Sequence, residues 1–240
     1  MAGRGGGGRD AEPWPNGPRP DRGGDGSPPG VAEVQPVAPP VWCTAVSSAL
    51  DARGFAVLED TPLTDLVPAL AAEADRLERH GRFRTAGVGR GASFRVRPEI
   101  RDDRVLWWDE AQTTRARRRY LLQLKTLRRH LNQTLWLGLA GFETHFAVYP
   151  VGARYRTHLD RFATASHRVL SVIFYLNEGW QEADGGELRL YLEAPDVAPW
   201  HDIGPQAGRL VVFESARFPH EVLPARRVRR SVVGWLTRSR

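Results

Sequence analysis

Cysteine is almost missing from the 240 residues: Cys43 stands alone. One thiol cannot form an internal disulfide, and it rules out zinc or iron–sulfur sites built on several cysteines, so any metal here must be held by histidine and carboxylate. Long apolar runs are missing too. No segment approaches the roughly 18 residues that would suggest a membrane span, and the N-terminus lacks the apolar core of a secretory leader. These absences predict a cytoplasmic protein with no membrane partner. Acids are outnumbered, with 34 Lys and Arg against 28 Asp and Glu and a net charge of +6. The excess is mostly arginine and is dispersed over several segments, which makes nucleic acid the less favoured partner.

What is present divides the chain. Residues 1–40 are rich in Gly, Pro, Arg and Asp and carry almost no periodic apolar positions, a composition expected to stay disordered. Residues 41–240 suffice for one domain with a full apolar core. Within it, helical spacing is expected from Thr44 to Gly54, from Thr64 to Arg79 and from Thr113 to Trp136, and Phe55 to Leu58 and Val105 to Trp108 read as strands. Arg117, Arg118, Arg128 and Arg129 are read as the solvated face of the third helix. The stretch from Gly81 to Asp103, dense in glycine and arginine, is expected to be an irregular excursion.

Beyond Gly141 the period changes to that of strands. Phe142 to Tyr149, Arg154 to His158, Val169 to Leu176, Glu187 to Leu192, Leu210 to Phe213, His220 to Leu223 and Val228 to Leu236 are short β-rich runs parted by turn residues. The fold class is therefore α+β: helical support over 41–140 followed by a jelly-roll barrel over 141–240.

Two histidines and one carboxylate that leave coordination positions open suit non-heme Fe(II). His158-Leu159-Asp160 supplies such a pair, because residues two apart point to one face of a strand. His220, which opens a later β run after Pro219, offers the third ligand. Arg229 and Ser231 share one strand face while Arg230 takes the other, and a guanidinium beside the metal is suited to a dicarboxylate, which it binds through paired charge-assisted hydrogen bonds. Arg230 is the rival for that role.

Taken together, His158-x-Asp160, His220 and Arg229-x-Ser231 resemble the 2-oxoglutarate/Fe(II) dioxygenase superfamily. The surrounding segments are similar to its prolyl 4-hydroxylase-like branch, which includes the hypoxia-factor hydroxylases. Those segments are residues 149–160, 174–180, 184–190, 209–213 and 218–224, with 100–107 upstream. The resemblance implies a double-stranded β-helix buttressed by the N-terminal helices. It implies Fe(II) held by His158, Asp160 and His220, and 2-oxoglutarate and O2 as cosubstrates, with ascorbate as an optional reductant. It places Arg229 and Tyr175 on the far carboxylate of 2-oxoglutarate and puts Ser231 and Tyr149 in the same cofactor-binding group. Arg101, Asp103 and Arg168 match positions on the substrate side, and the excursion from Gly81 to Asp103 occupies the place of a lid.

The function so implied is hydroxylation of a substrate carbon, with a prolyl residue of a partner protein as first choice. The alternative keeps the chemistry and changes the substrate to a free amino acid, a small metabolite or an alkylated nucleic-acid base. His145, His167 and His201 have no carboxylate two residues further on, as His158 has in Asp160, and are assigned surface or hydrogen-bonding roles. Trp107 and Trp235 are assigned to the core, with Trp235 also a candidate wall of the cosubstrate pocket.

Overall fold

Gly54 ends the first helix, α1 (Val41–Arg53), in a left-handed conformation at φ 82° with its N–H on Leu50 O. A Cβ there would lie 2.5 Å from Arg217 and 2.9 Å from the Phe218 ring, so glycine is required both by conformation and by space. The computed structural model of the chain describes residues 38–88, 95–109, 113–160 and 167–239. The disordered head expected over 1–40 therefore falls, apart from its last three residues, outside the described residues, as does part of the excursion from Gly81 to Asp103.

After β1 (Phe55–Leu58), a 3-10 turn at Thr64–Leu66 leads into α2 (Val67–Arg79). The short β2 (Arg84–Thr85) and β3 (Arg104–Trp107) precede α3 (Arg115–Leu135), whose first turn is capped by the Thr114 hydroxyl accepting from Arg117 N. Eight further strands follow: β4 (Leu139–Tyr149), β5 (Tyr155–His158), β6 (Arg168–Tyr175), β7 (Leu188–Tyr191), β8 (Trp200–Ile203), β9 (Leu210–Glu214), β10 (His220–Val222) and β11 (Arg229–Arg238).

They form a seven-stranded sheet in the order β1-β9-β6-β11-β4-β3-β2 and a four-stranded sheet in the order β5-β10-β7-β8. Alternation along the strands builds two apolar layers. Leu170, Val172 and Phe174 of β6 join Phe146, Val212 and Val232 in packing against Leu50, Leu70, Leu124 and Leu131 of the helices. On the other face, Ile173 and Tyr175 join Ala147, Tyr149, Val211 and Phe213 in packing against Leu188, Leu190, Ile203 and Val222 near the smaller sheet. Each fully buried Leu, Val or Phe contributes about 1.5–3 kcal/mol. The site lies in the second layer, between the sheets.

The expected jelly roll with helical buttress is present, with two departures. First, the larger sheet draws β1, β2 and β3 from the part read as helical support, so support and barrel interleave in sequence. Second, Arg117 is not on a solvated face. It is buried, pairs with Glu73 at 3.1 Å and lies over the rings of Trp108 and Phe146. The carboxylate at its end makes burial of the guanidinium tolerable.

Candidate active site

Antiparallel pairing of β10 with β5 places His220 directly opposite His158, with ring centroids 4.2 Å apart. Asp160, just past the end of β5, reaches between them: its Oδ1 lies 3.7 Å from His158 Nε2 and its Oδ2 3.5 Å from His220 Nε2. The three ligand atoms all lie within 4.8 Å of one another. Both imidazoles are oriented in the same way. Nδ1 of His158 donates to Arg156 O at 2.8 Å, and Nδ1 of His220 donates to Phe218 O at 3.0 Å. A carbonyl can only accept, so each Nδ1 carries a proton and each Nε2 is the ring nitrogen turned towards the carboxylate.

The electrostatics favour metal-binding protonation states. Burial, with the neighbouring His220 adding to it, lowers the His158 pKa to about 3 and keeps the ring neutral. For Asp160, burial alone would raise the pKa, but His220, His158, the Ser171 hydroxyl and the Trp235 indole outweigh it and hold the carboxyl ionised. Two imidazoles and one carboxylate converging on one point form the donor set that suits Fe(II).

Behind this cluster lies Arg229, only 2% exposed. Its Nε donates to Gly186 O at 2.9 Å and its Nη2 to Tyr175 Oη at 3.3 Å, while the Tyr149 and Tyr175 rings lie 5.1 and 4.9 Å from the guanidinium carbon. Among the described residues no carboxylate comes within ion-pair distance of it. A buried cation without a counter-ion is costly unless an anion arrives. Next to it, the fully buried Ser231 Oγ has no hydrogen-bond partner among the described residues. Burial raises the pKa of Tyr149 and of Tyr175, so both remain neutral phenols that can donate. An unpaired guanidinium with orphaned or donating hydroxyls beside it fits one end of a small dicarboxylate. Arg230, the rival, points to the other face and pairs with Asp75 at 2.5 Å and Glu78 at 3.6 Å, as strand parity requires.

Both clusters open into one cavity of about 750 Å³ whose lining includes His158, Asp160, His220, Arg229, Tyr149, Arg101 and Arg168. Arg101 clamps Asp103 through two hydrogen bonds of 2.7 Å and covers the Tyr155 ring at 4.2 Å. Asp103 is fully buried, with both oxygens engaged by that guanidinium. Arg168 donates to Glu143 at 2.8 Å and lies 3.4 Å from the Trp235 ring centroid.

Several wall residues escaped the sequence reading. Tyr155 stacks on His158 at 3.6 Å and 15°, and Phe213 meets His220 edge-on at 4.8 Å. Trp107, assigned to the core, is half exposed and lines the cavity beside Trp235. His145 is not at the surface: it packs 4.6 Å from Trp107 and 5.4 Å from Trp235, with Nδ1 buried and unpartnered among the described residues. Burial, then Arg101 and Arg168, lower its pKa to about 3. The expectation for His167 holds, since it hydrogen-bonds Glu143 at 2.7 Å. Alternation along β4 places His145, Ala147 and Tyr149 on one face and could have signalled the histidine.

Comparison with known proteins agrees with this geometry. Residues 144–237 match the 2OG-Fe(II) oxygenase superfamily. A prolyl-4-hydroxylase from Pseudomonas putida of known crystal structure superposes with a TM-score of 0.73 at 43% identity, over 82% of this chain and 100% of that one. A Trichoplax adhaerens prolyl hydroxylase, solved with a hypoxia-inducible-factor peptide fragment, superposes with a TM-score of 0.70 at 26% identity, over 82% of this chain and 89% of that one. A hypoxia-inducible factor prolyl hydroxylase of Caenorhabditis elegans is 32% identical over 201 residues, 79% of this chain, and the match spans 27% of the length of that relative. With its fold, its histidine–carboxylate cluster and these likenesses, the chain belongs to the 2-oxoglutarate/Fe(II)-dependent oxygenase superfamily, among relatives of prolyl 4-hydroxylase type.

Proposed function

We propose that the protein hydroxylates a prolyl residue of a protein or peptide, with Fe(II) held by His158, Asp160 and His220 and the far carboxylate of 2-oxoglutarate held by Arg229 and Tyr175. The observation that carries this reading is the buried guanidinium of Arg229, without a carboxylate partner among the described residues, facing the same cavity as the three converging ligand atoms. In such a site the bound iron and 2-oxoglutarate supply dioxygen activation coupled to oxidative decarboxylation, so that a substrate C–H becomes C–OH and succinate and CO2 leave.

The chain's own residues do the rest. The Nδ1–H bonds of both histidines to backbone carbonyls fix the ring planes before metal arrives. Ser171 holds Asp160 Oδ2 at 2.6 Å and so fixes the orientation of the carboxylate that would hold the metal. Ser231 and Tyr149 complete the polar end of the cosubstrate pocket, and the rings of Tyr155, Trp107 and Trp235 exclude water from the reacting centre. Arg101, held by Asp103, and Arg168, held by Glu143, stand at the substrate side. Ascorbate as auxiliary reductant and a cytoplasmic location, consistent with the one buried, unpaired thiol, belong to the same reading.

The test is succinate release by the full chain with Fe(II) and 2-oxoglutarate, combined with mass spectrometry for addition of a single oxygen atom. Stimulation by proline-containing peptides, with hydroxyproline as product, is expected. Stimulation by free amino acids or alkylated nucleotides in place of peptide would overturn the choice of substrate.

A further inference from the structure

Alternation along the segment that leads into β2 is sharp. Phe83 turns towards the helical layer, where it packs 6.5 Å from Phe146, while Arg82, Arg84 and Ala86 line the cavity. Both arginines are exposed, so their guanidinium groups stand where the cavity meets solvent.

The other cations of this cavity are already committed. Arg101 pairs with Asp103 at 2.7 Å, Arg168 pairs with Glu143 at 2.8 Å, and Arg229 faces the cosubstrate pocket. Nothing comparable engages Arg82 or Arg84, neither of which forms an ion pair among the described residues. The acids of α2 are spent elsewhere: Glu73 on Arg117, Asp75 on Arg230 and Glu78 on Arg104. The mouth of the site therefore carries a positive field from Arg82 and Arg84 that no acid among the described residues pairs with. Its effective range is about 8 Å at physiological ionic strength, a few residues of an extended peptide.

We infer that Arg82 and Arg84 select substrates whose target proline is flanked by aspartate or glutamate. This rests on the reading of the site as a prolyl hydroxylase and adds to it the chemical class of the substrate chain. Charges at a rim act mainly through encounter and salt-sensitive affinity. The arginines are then specificity-determining residues that lower KM for acidic segments and leave the chemical step alone.

The experiment uses the full chain with Fe(II), 2-oxoglutarate and a degenerate peptide library with a fixed central proline, the hydroxylated products being sequenced by mass spectrometry. At low salt, Asp and Glu should be enriched about threefold or more over Asn and Gln next to the modified proline, and the enrichment should fade in about 0.5 M NaCl, where the field is screened. The double variant Arg82→Gln, Arg84→Gln should lose the enrichment, and Arg82→Glu, Arg84→Glu should transfer it to Lys and Arg, a gain that damaged folding cannot produce. Hydroxylation without charge preference, or with one that ignores salt and survives charge reversal, overturns the inference and leaves the prolyl reading standing. Absence of hydroxyproline from every product overturns the reading and the inference together.

Discussion

Ser171 donates its hydroxyl proton to Asp160 Oδ2 at 2.6 Å and lies 2.9 Å from Ser215 Oγ. A hydroxyl has one proton, so with that proton on the carboxylate Ser215 must be the donor to Ser171. This two-step relay orients the one carboxylate of the histidine–carboxylate cluster. Groups that orient a metal ligand typically change affinity by about 10- to 100-fold when removed. Ser171→Ala should weaken Fe(II) binding by that order in an anaerobic titration, whereas His158→Ala and Asp160→Ala should abolish iron-dependent turnover. An unchanged iron affinity in Ser171→Ala would show that Asp160 needs no such support.

Arg229→Gln removes the cation proposed to hold the dicarboxylate while keeping a side chain long enough to reach Gly186 O. Hydrogen bonds to charged groups are worth about 1.5–3 kcal/mol, so KM for 2-oxoglutarate should rise about 10- to 100-fold. The variant should also lose the thermal stabilisation that added 2-oxoglutarate gives the parent. Retention of that stabilisation would move the anchoring role to another residue.

Gly186 sits at φ 76°, and a Cβ on it would meet Ala225 Cβ at 2.8 Å and Arg229 Cδ at 3.4 Å. Its carbonyl holds Arg229 Nε. Gly186→Ala should therefore destabilise the fold by about 1–3 kcal/mol through its positive φ and raise KM for 2-oxoglutarate through the displaced guanidinium. Thermal denaturation and cosubstrate titration together check this, and a lowered Tm with unaltered KM would separate the glycine from the pocket.

Cys43 is fully buried, and burial pushes its thiol pKa up from 9.0 to about 12. Between those values the unfolded chain has lost the proton and the folded chain keeps it, so the folded state binds more protons and stability must fall as pH rises, by up to about 1.4 kcal/mol per pH unit. Below pH 9 this contribution vanishes. Cys43→Ala should show a shallower loss of stability between pH 9 and 10 than the parent, and the native parent should react with thiol reagents only at the rate of unfolding. Rapid labelling of the folded protein would contradict the burial.

Much of this site could be read from the chain because its key pairs obey the two-residue period of a strand. His158 with Asp160, and Arg229 with Ser231, needed only parity, and the burial of Arg229 against the ion-paired Arg230 follows that parity. What stayed hidden depends on partners brought together across strands. Ser171 stands opposite Trp235 on β11 and Phe213 on β9, and no local pattern shows that its hydroxyl will meet Asp160. The strand β8 also escaped notice, because Trp200-His201-Asp202-Ile203 is short, largely polar and preceded by Pro199, and is held by pairing with β7 alone. β2, two residues long among glycines, gave no periodic signal.

β11 sits between β4 and β6, in the middle of the larger sheet, although both neighbours precede it in the chain. The edges of β4 and β6 that face β11 can be paired in this way only after this later segment has been made, and the same segment delivers Arg229. With Arg229 in its proposed role, protein that retains cosubstrate is protein whose sheet has closed, which makes 2-oxoglutarate retention an assay of completed folding in freshly translated chains.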